Sequence, residues 1–186
     1  MNIKSEDEVL NITSSVLDYL KNTYFYRNDA NSGTLSTYHS GLNFKVGFPS
    51  NLAEMVLPTI ALEEPVIIPN EVLTFGEWDT KTFSYRLNVF AGGQRTSSII
   101  DEGKNLYQRT QLTTDLKNLL DANQEGSIIN YYHFSDIISS GTKYRTDEDI
   151  VIDSVTASFL PPTGETEADR YRAIIDFNAS IIFSQD

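Results

Sequence analysis

The most constraining feature of the chain is an alternation of apolar and other residues that runs unbroken near its end. Successive side chains of a β-strand point to opposite faces of a sheet, so strict alternation predicts a long strand with one buried face. The alternating apolar residues are Tyr171, Ala173, Ile175, Phe177, Ala179, Ile181 and Phe183. A second such run consists of Phe83, Tyr85, Leu87 and Val89. Two strands of this kind require a sheet with one face covered.

Two helical patterns accompany the strands. Residues Ser5-Glu6-Asp7-Glu8 fit a capping box, and apolar residues then recur at intervals of three and four to about Asn22. Residues 96–122 again follow a period of 3.6, so we predict a second helix about 38 Å long. Its predicted apolar side is formed by Ile99, Gly103, Leu106, Thr110, Thr113, Leu116 and Leu120.

The other segments predict short strands, loops and a hairpin. Alternation from Leu42 to Phe48 predicts a strand ending at Pro49, and three later prolines limit the following segment to short or edge strands. Residues 24–41, rich in Asn, Ser, Thr and Gly, are predicted as an extended loop. Residues 161–170 are predicted as the protruding tip of a C-terminal hairpin, with a bulge near Asp153 where the alternation changes phase.

Strands that occur in runs, rather than alternating with helices, predict the fold class. We expect an α+β fold with a mainly antiparallel β-sheet, packed by a long central helix and an N-terminal helix. A chain of 186 residues is the size of one domain, so we predict a single domain over residues 1–186. A chain of this mass buries about 70% of its unfolded surface and needs no covalent staples.

Composition excludes several function classes. The chain has no cysteine and two histidines, which excludes disulfides, thiolate metal sites and thiol catalysis. Its formal net charge of −12 repels phosphate backbones and anionic lipids, so we expect no non-specific binding to nucleic acid. We also expect no signal peptide and no membrane span, because no apolar run approaches the required length.

The motifs that carry chemistry are absent or incomplete. Residues 91–98, AGGQRTSS, lie between a predicted strand and a helix but match neither phosphate-binding glycine motif. His39 and His133 lie in no triad pattern, and the adjacent acids at 101–102 and 147–149 cannot converge on one ion. We therefore predict no catalytic, cofactor-binding or metal-binding residue and no enzyme. A pair of catalytic carboxylates is the alternative that stays open, because such residues are brought together only by the fold.

Several residues are candidates for contacts with a partner. Trp78 would either fill the edge of the core or anchor a partner. The tyrosines in predicted loops would either form an interface or pack half-buried against the loops themselves. We expect the acidic tip to contact a partner rather than to contribute to folding. The candidates are Tyr24, Tyr26 and Tyr38 in the predicted loop, and Pro161, Pro162, Glu165 and Glu167 in the predicted tip.

The order of these segments resembles the tail-terminator, or tail-completion, proteins of long-tailed bacteriophages. The resemblance covers the opening helix VLNITSSVLDYL, the proline-marked region LPTIALEEPVIIP, the strand and helix beginning FSYRLNVFAGG, and the closing strand RYRAIIDFNASIIF. The matching positions are Arg86, Val89 and Phe90 in the first long strand, with shifted spacing, and Tyr171, Arg172, Asp176 and Phe177 in the last. The predicted loop and tip depart from the pattern, so the position within the tail stays open.

The resemblance implies a structural virion protein without cofactors. Its expected partners are copies of itself in a ring, commonly of six, together with the tail-tube protein and head-connector proteins. DNA would only pass through the lumen, and no membrane or small-molecule substrate is expected. A head-completion or connector adaptor of the same neck is a close alternative. A small-ligand or carbohydrate-binding module, with loop tyrosines and Trp78 as stacking platforms, is the alternative from another class.

Overall fold

A computed structural model describes residues 5–30, 42–52, 54–68, 78–91, 99–124, 129–132, 145–161 and 171–184, in places through the backbone alone. Two helices and seven strands lie within these ranges. The helices are α1 (Ser5–Ala30) and α2 (Ile99–Gln124). The strands are β1 (Asn43–Val46), β2 (Thr59–Leu62), β3 (Val66–Ile68), β4 (Trp78–Phe90), β5 (Ile129–Tyr132), β6 (Arg145–Phe159) and β7 (Arg172–Ser184).

The seven strands form one mixed sheet. Its order is β1-β2-β4-β7-β6-β5, and β3 pairs with β4 beyond the end of β2. Strands β1 and β2 are parallel, whereas the other pairs among the described strands are antiparallel. Two helices with a mostly β architecture make this an α+β fold.

The two strands predicted from strict alternation lie side by side at the centre of the sheet. Strands β4 and β7 pair without interruption from Trp78 with Ser184 to Phe90 with Arg172. The predicted apolar positions of both strands are buried wherever their side chains are described, and the Tyr85 ring stacks on Phe177 with centroids 5.4 Å apart. The alternation therefore identified the buried face of both strands.

Both helices contribute to one core against this buried face. The buried helical side chains are Ile12, Val16 and Leu20 of α1 and Leu112, Leu116, Leu119 and Leu120 of α2. They cluster with the inward residues of β4, β6 and β7. Each large apolar side chain buried in this way stabilises the fold by about 1.5–3 kcal/mol.

Helix α1 is longer than predicted. It continues to Ala30, about two turns past the expected end near Asn22, so residues 24–30 of the predicted loop 24–41 are helical instead. The apolar period fades there, but the chain contains neither glycine nor proline before Gly33, so no helix-breaking residue ends the helix earlier. Residues 31–41 lie outside the described part of the chain.

Helix α2 buries only part of its predicted apolar side. Leu112, Leu116 and Leu120 are buried, whereas Leu106 is 38% exposed and Thr110 is also exposed. A helix of 26 residues is about 39 Å long. Among its described residues, the predicted apolar side is therefore exposed at Leu106 and Thr110 and buried from Leu112 onward.

The C-terminal hairpin has the predicted bulge. Pairing of β6 with β7 shifts register between Asp153 and Thr156, and Ser154 at this point has a φ of 56°. The Leu160 amide donates to the Arg172 carbonyl at 3.1 Å, closing the hairpin beyond the strand ends. Strand β6 begins at Arg145, so the acids at 147–149 belong to a strand. Tip residues 162–170 are not among those described.

The proline-marked region forms two short strands, as predicted. Strand β2 is fully buried, while β3 is exposed along its length. The preceding strand β1 lies at the sheet edge, where Phe44 packs against the core but Val46 and Phe48 remain largely exposed. The prolines thus mark the ends of short segments beside β4.

Candidate functional site

The outward face of β4 and β7 carries a paired charge at its centre. Arg86 and Asp176 are direct cross-strand partners, and Arg86 donates from Nε at 2.8 Å and from Nη2 at 3.1 Å to the two carboxylate oxygens. The hydrogen bond with Asp176, followed by its negative charge, raises the pKa of Arg86. Both side chains are about half exposed, so the pair contributes at most about 1 kcal/mol. Its main effect is to align the two strands.

A second polar group joins three strands nearby. Asn88, which is fully buried, donates to Glu63 at 2.6 Å and accepts from Arg172 Nη2 at 2.7 Å and Nε at 3.1 Å. The Arg172 guanidinium also lies 5.0 Å from the ring centroid of Phe48 and 5.5 Å from that of Phe90. The two strands that contain the matching positions of the phage resemblance are therefore neighbours, joined by Arg86 with Asp176 and by Arg172 over Phe90.

Sequence reasoning missed Asn88 and Glu63 as members of this group. Asparagine is depleted in strands, so its presence inside the alternation of β4 was the available signal. It indicated an unusual position but not the partners, because Glu63 and Arg172 approach Asn88 only when β2 and β7 pair on either side of β4.

Helix α1 is attached to the sheet through a layer of polar side chains. Thr13 Oγ1 lies 2.9 Å from the Tyr85 hydroxyl, and Asn11 Nδ2 donates to the Tyr131 hydroxyl at 3.1 Å. Ser15 exchanges hydrogen bonds with the backbone of Tyr132, accepting from its amide and donating to its carbonyl. Burial is the main reason why the pKa of Tyr85 is raised well above its usual value. This layer fixes the helix position by directional contacts.

Two edges of the sheet carry exposed apolar side chains. In β3, Val66 is 70% and Ile67 55% exposed, and the strand pairs with β4 on one side. On the other side of the sheet, β6 pairs with β5 only up to Ile150. Residues 151–159 of β6 therefore have β7 on one side and no described strand on the other. Unpaired strand edges of this kind offer backbone hydrogen bonds to another chain.

The end of β6 and the middle of α2 form an apolar surface around a cation. The Arg109 guanidinium lies 5.1 Å from the Phe159 ring centroid, and its Nη1 donates to the Leu160 carbonyl at 3.1 Å. Its Nε is buried without a hydrogen-bond partner. Burial lowers the pKa of Arg109, against a smaller opposing effect of Tyr171. No ion pair involving Arg109 occurs among the described residues.

A shallow cleft of about 270 Å³ lies between α1 and β5. Amide, hydroxyl and carboxylate groups alternate with two tyrosine rings along its walls. The lining residues are Ser15, Asp18, Tyr19, Asn22, Ile129, Asn130 and Tyr132. The Tyr19 hydroxyl donates to the Leu119 carbonyl, and Asn130 donates to the Tyr132 hydroxyl, so some of these groups also hold the walls in place.

The predicted contact residues are only partly located. Pro161 is exposed just past β6, whereas Pro162, Glu165, Glu167 and Tyr38 lie outside the described residues. The placement of Tyr24 and Tyr26 in a loop was wrong, because both belong to helix α1. Trp78 is the first residue of β4. The side chains of Trp78 and of these two tyrosines are not described, nor are His39, His133 and residues 92–98.

Within the described ranges, no group of three or more histidine, cysteine or acidic side chains is placed to hold a metal ion. Neither described helix has the length and apolar character needed to cross a membrane. No protein-family model and no curated protein sequence matches the chain. The described residues form an α+β protein with two helices and one mixed sheet, in which β3 and the end of β6 each have a side that pairs with no described strand.

Proposed function

We propose that the protein is a subunit of a homo-oligomeric ring, of about six copies, that caps the tail tube of a long-tailed bacteriophage and joins tail to head. The observation that carries the proposal is that β3 and the end of β6, which differ in sequence and lie on either side of β4 and β7, each have a side without a described partner strand. A ring subunit needs two different complementary faces, because each copy contacts its neighbours head to tail. Strand edges are suited to such contacts, since extended chains can add to a sheet through their backbone.

The resemblance in sequence adds support. The two strands that contain its matching positions, β4 and β7, pair as neighbours, with Arg86 on Asp176 and Phe90 beside Arg172. We take the sheet to be mainly antiparallel and α2 to be the central helix that packs across it. The chain would then form the wall of the ring and present its outer surfaces to the tail-tube protein and the head connector.

The charge of the chain suits a channel for DNA. Each copy carries a formal charge of −12, so a lumen lined by some of these acids would repel the phosphate backbone and let DNA pass without adhering. In this proposal the protein belongs to the virion neck and has no catalytic role. A head-completion adaptor would share these properties, and only the identity of the first binding partner separates the two.

The native mass tests the proposal directly. We expect sedimentation velocity and negative-stain imaging of the full chain to show closed rings, alone or after addition of tail-tube protein. Binding to the tail-tube protein would identify a terminator, and binding only to connector proteins an adaptor. A protein that stays monomeric at tens of micromolar and forms no ring with either partner would refute the proposal.

The cleft between α1 and β5 favours a second candidate function, a carbohydrate-binding module. Tyr132 and Tyr19 supply aromatic surfaces, and Asp18 and Asn130 supply polar groups, the combination that small-ligand sites use. Titration with neutral oligosaccharides would then give saturable heat in the wild type and lose it in Tyr132→Ala. Tyr107→Ala, at an exposed position on α2, is the matched control. Saturable binding by a monomeric protein would favour this function over the ring.

A further inference from the structure

The surface around Arg109 has the properties of a contact site whose counterpart is missing. The guanidinium rests on Phe159 and donates to the Leu160 carbonyl, while its Nε is buried and unpaired. Leu106 lies one turn earlier on the same side of α2 and is 38% exposed. A partly desolvated cation beside exposed apolar groups is favourable only when a negative group completes it. Arginine with aromatic neighbours is also the typical composition of binding hot spots.

The edge at β3 has the complementary composition. Val66, Ile67 and Ile68 are exposed, and the exposed Glu64 precedes them by two residues, within about 7 Å along an extended chain. Around Arg109 a charged group also lies beside an apolar one, since the guanidinium is 5.1 Å from the ring centroid of Phe159. The two surfaces thus carry opposite charges, and both are apolar beside the charge.

The two surfaces cannot meet within one copy. Strands β4 and β7 separate β3 from β6 in the sheet, so three interstrand spacings, about 14 Å in all, lie between the two strands. A contact between unlike surfaces repeats from copy to copy and produces a closed ring or an open filament.

We propose that the surface formed by Leu106, Arg109 and Phe159 receives the β3 edge of a neighbouring copy, with Glu64 of that copy paired to Arg109. This inference rests on the proposed ring and specifies its subunit contact. In the contact the carboxylate compensates the partly desolvated guanidinium, and the apolar side chains on one face of β3 cover Leu106 and Phe159.

A charge exchange tests the pairing. Arg109→Glu and Glu64→Arg each place like charges opposite one another, so each raises the concentration for half-assembly at least about tenfold in sedimentation velocity. The double variant Arg109→Glu/Glu64→Arg restores opposite charges and recovers assembly. Lys45→Glu and Glu54→Arg change exposed charges elsewhere by the same amounts and leave assembly unchanged. Circular dichroism and thermal melting verify that every variant is folded.

The outcomes separate the contact from the proposed function. Rings that form equally well in both single variants would overturn the contact and leave the ring function intact. Intact rings that no longer bind tail-tube protein in Arg109→Glu would also overturn it, since that protein would then occupy the surface. A wild-type chain that remains monomeric with every partner would overturn both. If Arg109→Glu fails to fold, Glu64→Arg at its exposed position still decides the result.

Discussion

The hydroxyl pair of Thr13 and Tyr85 gives a quantitative test of how α1 is attached to the sheet. The oxygens are 2.9 Å apart, and both side chains are buried, Thr13 to 3% and Tyr85 to 1% exposure. Thr13→Val leaves the Tyr85 hydroxyl buried without this partner and should cost about 1–3 kcal/mol of the free energy of unfolding. Tyr85→Phe should cost about 1 kcal/mol, because the threonine hydroxyl can turn to a carbonyl of its own helix.

The double variant Thr13→Val/Tyr85→Phe distinguishes a hydrogen bond from simple packing. Replacing both partners by apolar groups of similar shape is nearly neutral, so the two changes together should cost less than their sum, with a coupling energy of about 1–2 kcal/mol. Urea denaturation at pH 7 and one fixed protein concentration measures it, and each kcal/mol also moves Tm by about 2–4 °C in a chain of this size.

Matched controls remove effects that do not involve the pair. Thr114→Val and Tyr107→Phe make the same chemical changes at exposed positions of α2 and should change stability by less than about 0.5 kcal/mol. Costs that simply add in the double variant would show that the two hydroxyls are not bonded, and the account of α1 as a hydrogen-bonded element would be wrong.

Three further predictions follow from the described contacts. Burial raises the pKa of Tyr85, so the unfolded chain loses the hydroxyl proton first as pH rises above about 10. The free energy of unfolding should therefore fall above this pH by up to about 1.4 kcal/mol per pH unit, and less steeply in Tyr85→Phe. Equal slopes for the two proteins in urea denaturation at several pH values would contradict this. Asn88→Ala removes the bonds to Glu63 and Arg172 and should cost about 2–3 kcal/mol in the same assay, whereas a cost below about 0.5 kcal/mol would show that water replaces them. Ser154→Gly should stabilise the fold by about 0.5–1 kcal/mol, because a φ of 56° suits glycine, while an equal loss would show that the serine side chain holds the bulge.

Local patterns in the sequence predicted much of the framework. The alternations in β4 and β7, the bulge near Asp153 and the short strands between prolines all agree with the structure, because each depends on one segment and its periodicity. The end of α1 was predicted wrongly, since the polar residues after Asn22 ended the apolar period without ending the helix. Strong periods and chain breakers are local signals, whereas the point where a helix ends without a breaker is not.

Local patterns did not predict which side chains of the candidate surfaces are buried and which are exposed. Asn11, Thr13 and Ser15 look like the solvent side of α1, yet they are buried because tyrosines of β4 and β5 supply hydroxyl and backbone partners. Leu106 looks like a core residue, yet it is 38% exposed. In both cases burial depends on the elements opposite the residue, which a single segment does not contain.

By itself the sequence determined the acidic, cysteine-free character of the chain, its two long alternating strands and the α+β order of its elements. Only the tertiary structure decided which of the described strands have an unpaired side, that Arg109 Nε is buried without a hydrogen-bond partner, and that two strands separate β3 from β6. The physical reason is that periodicity and charge count are properties of single segments. Strand pairing, desolvation and the exposure of an edge arise when distant segments compete for the same partners.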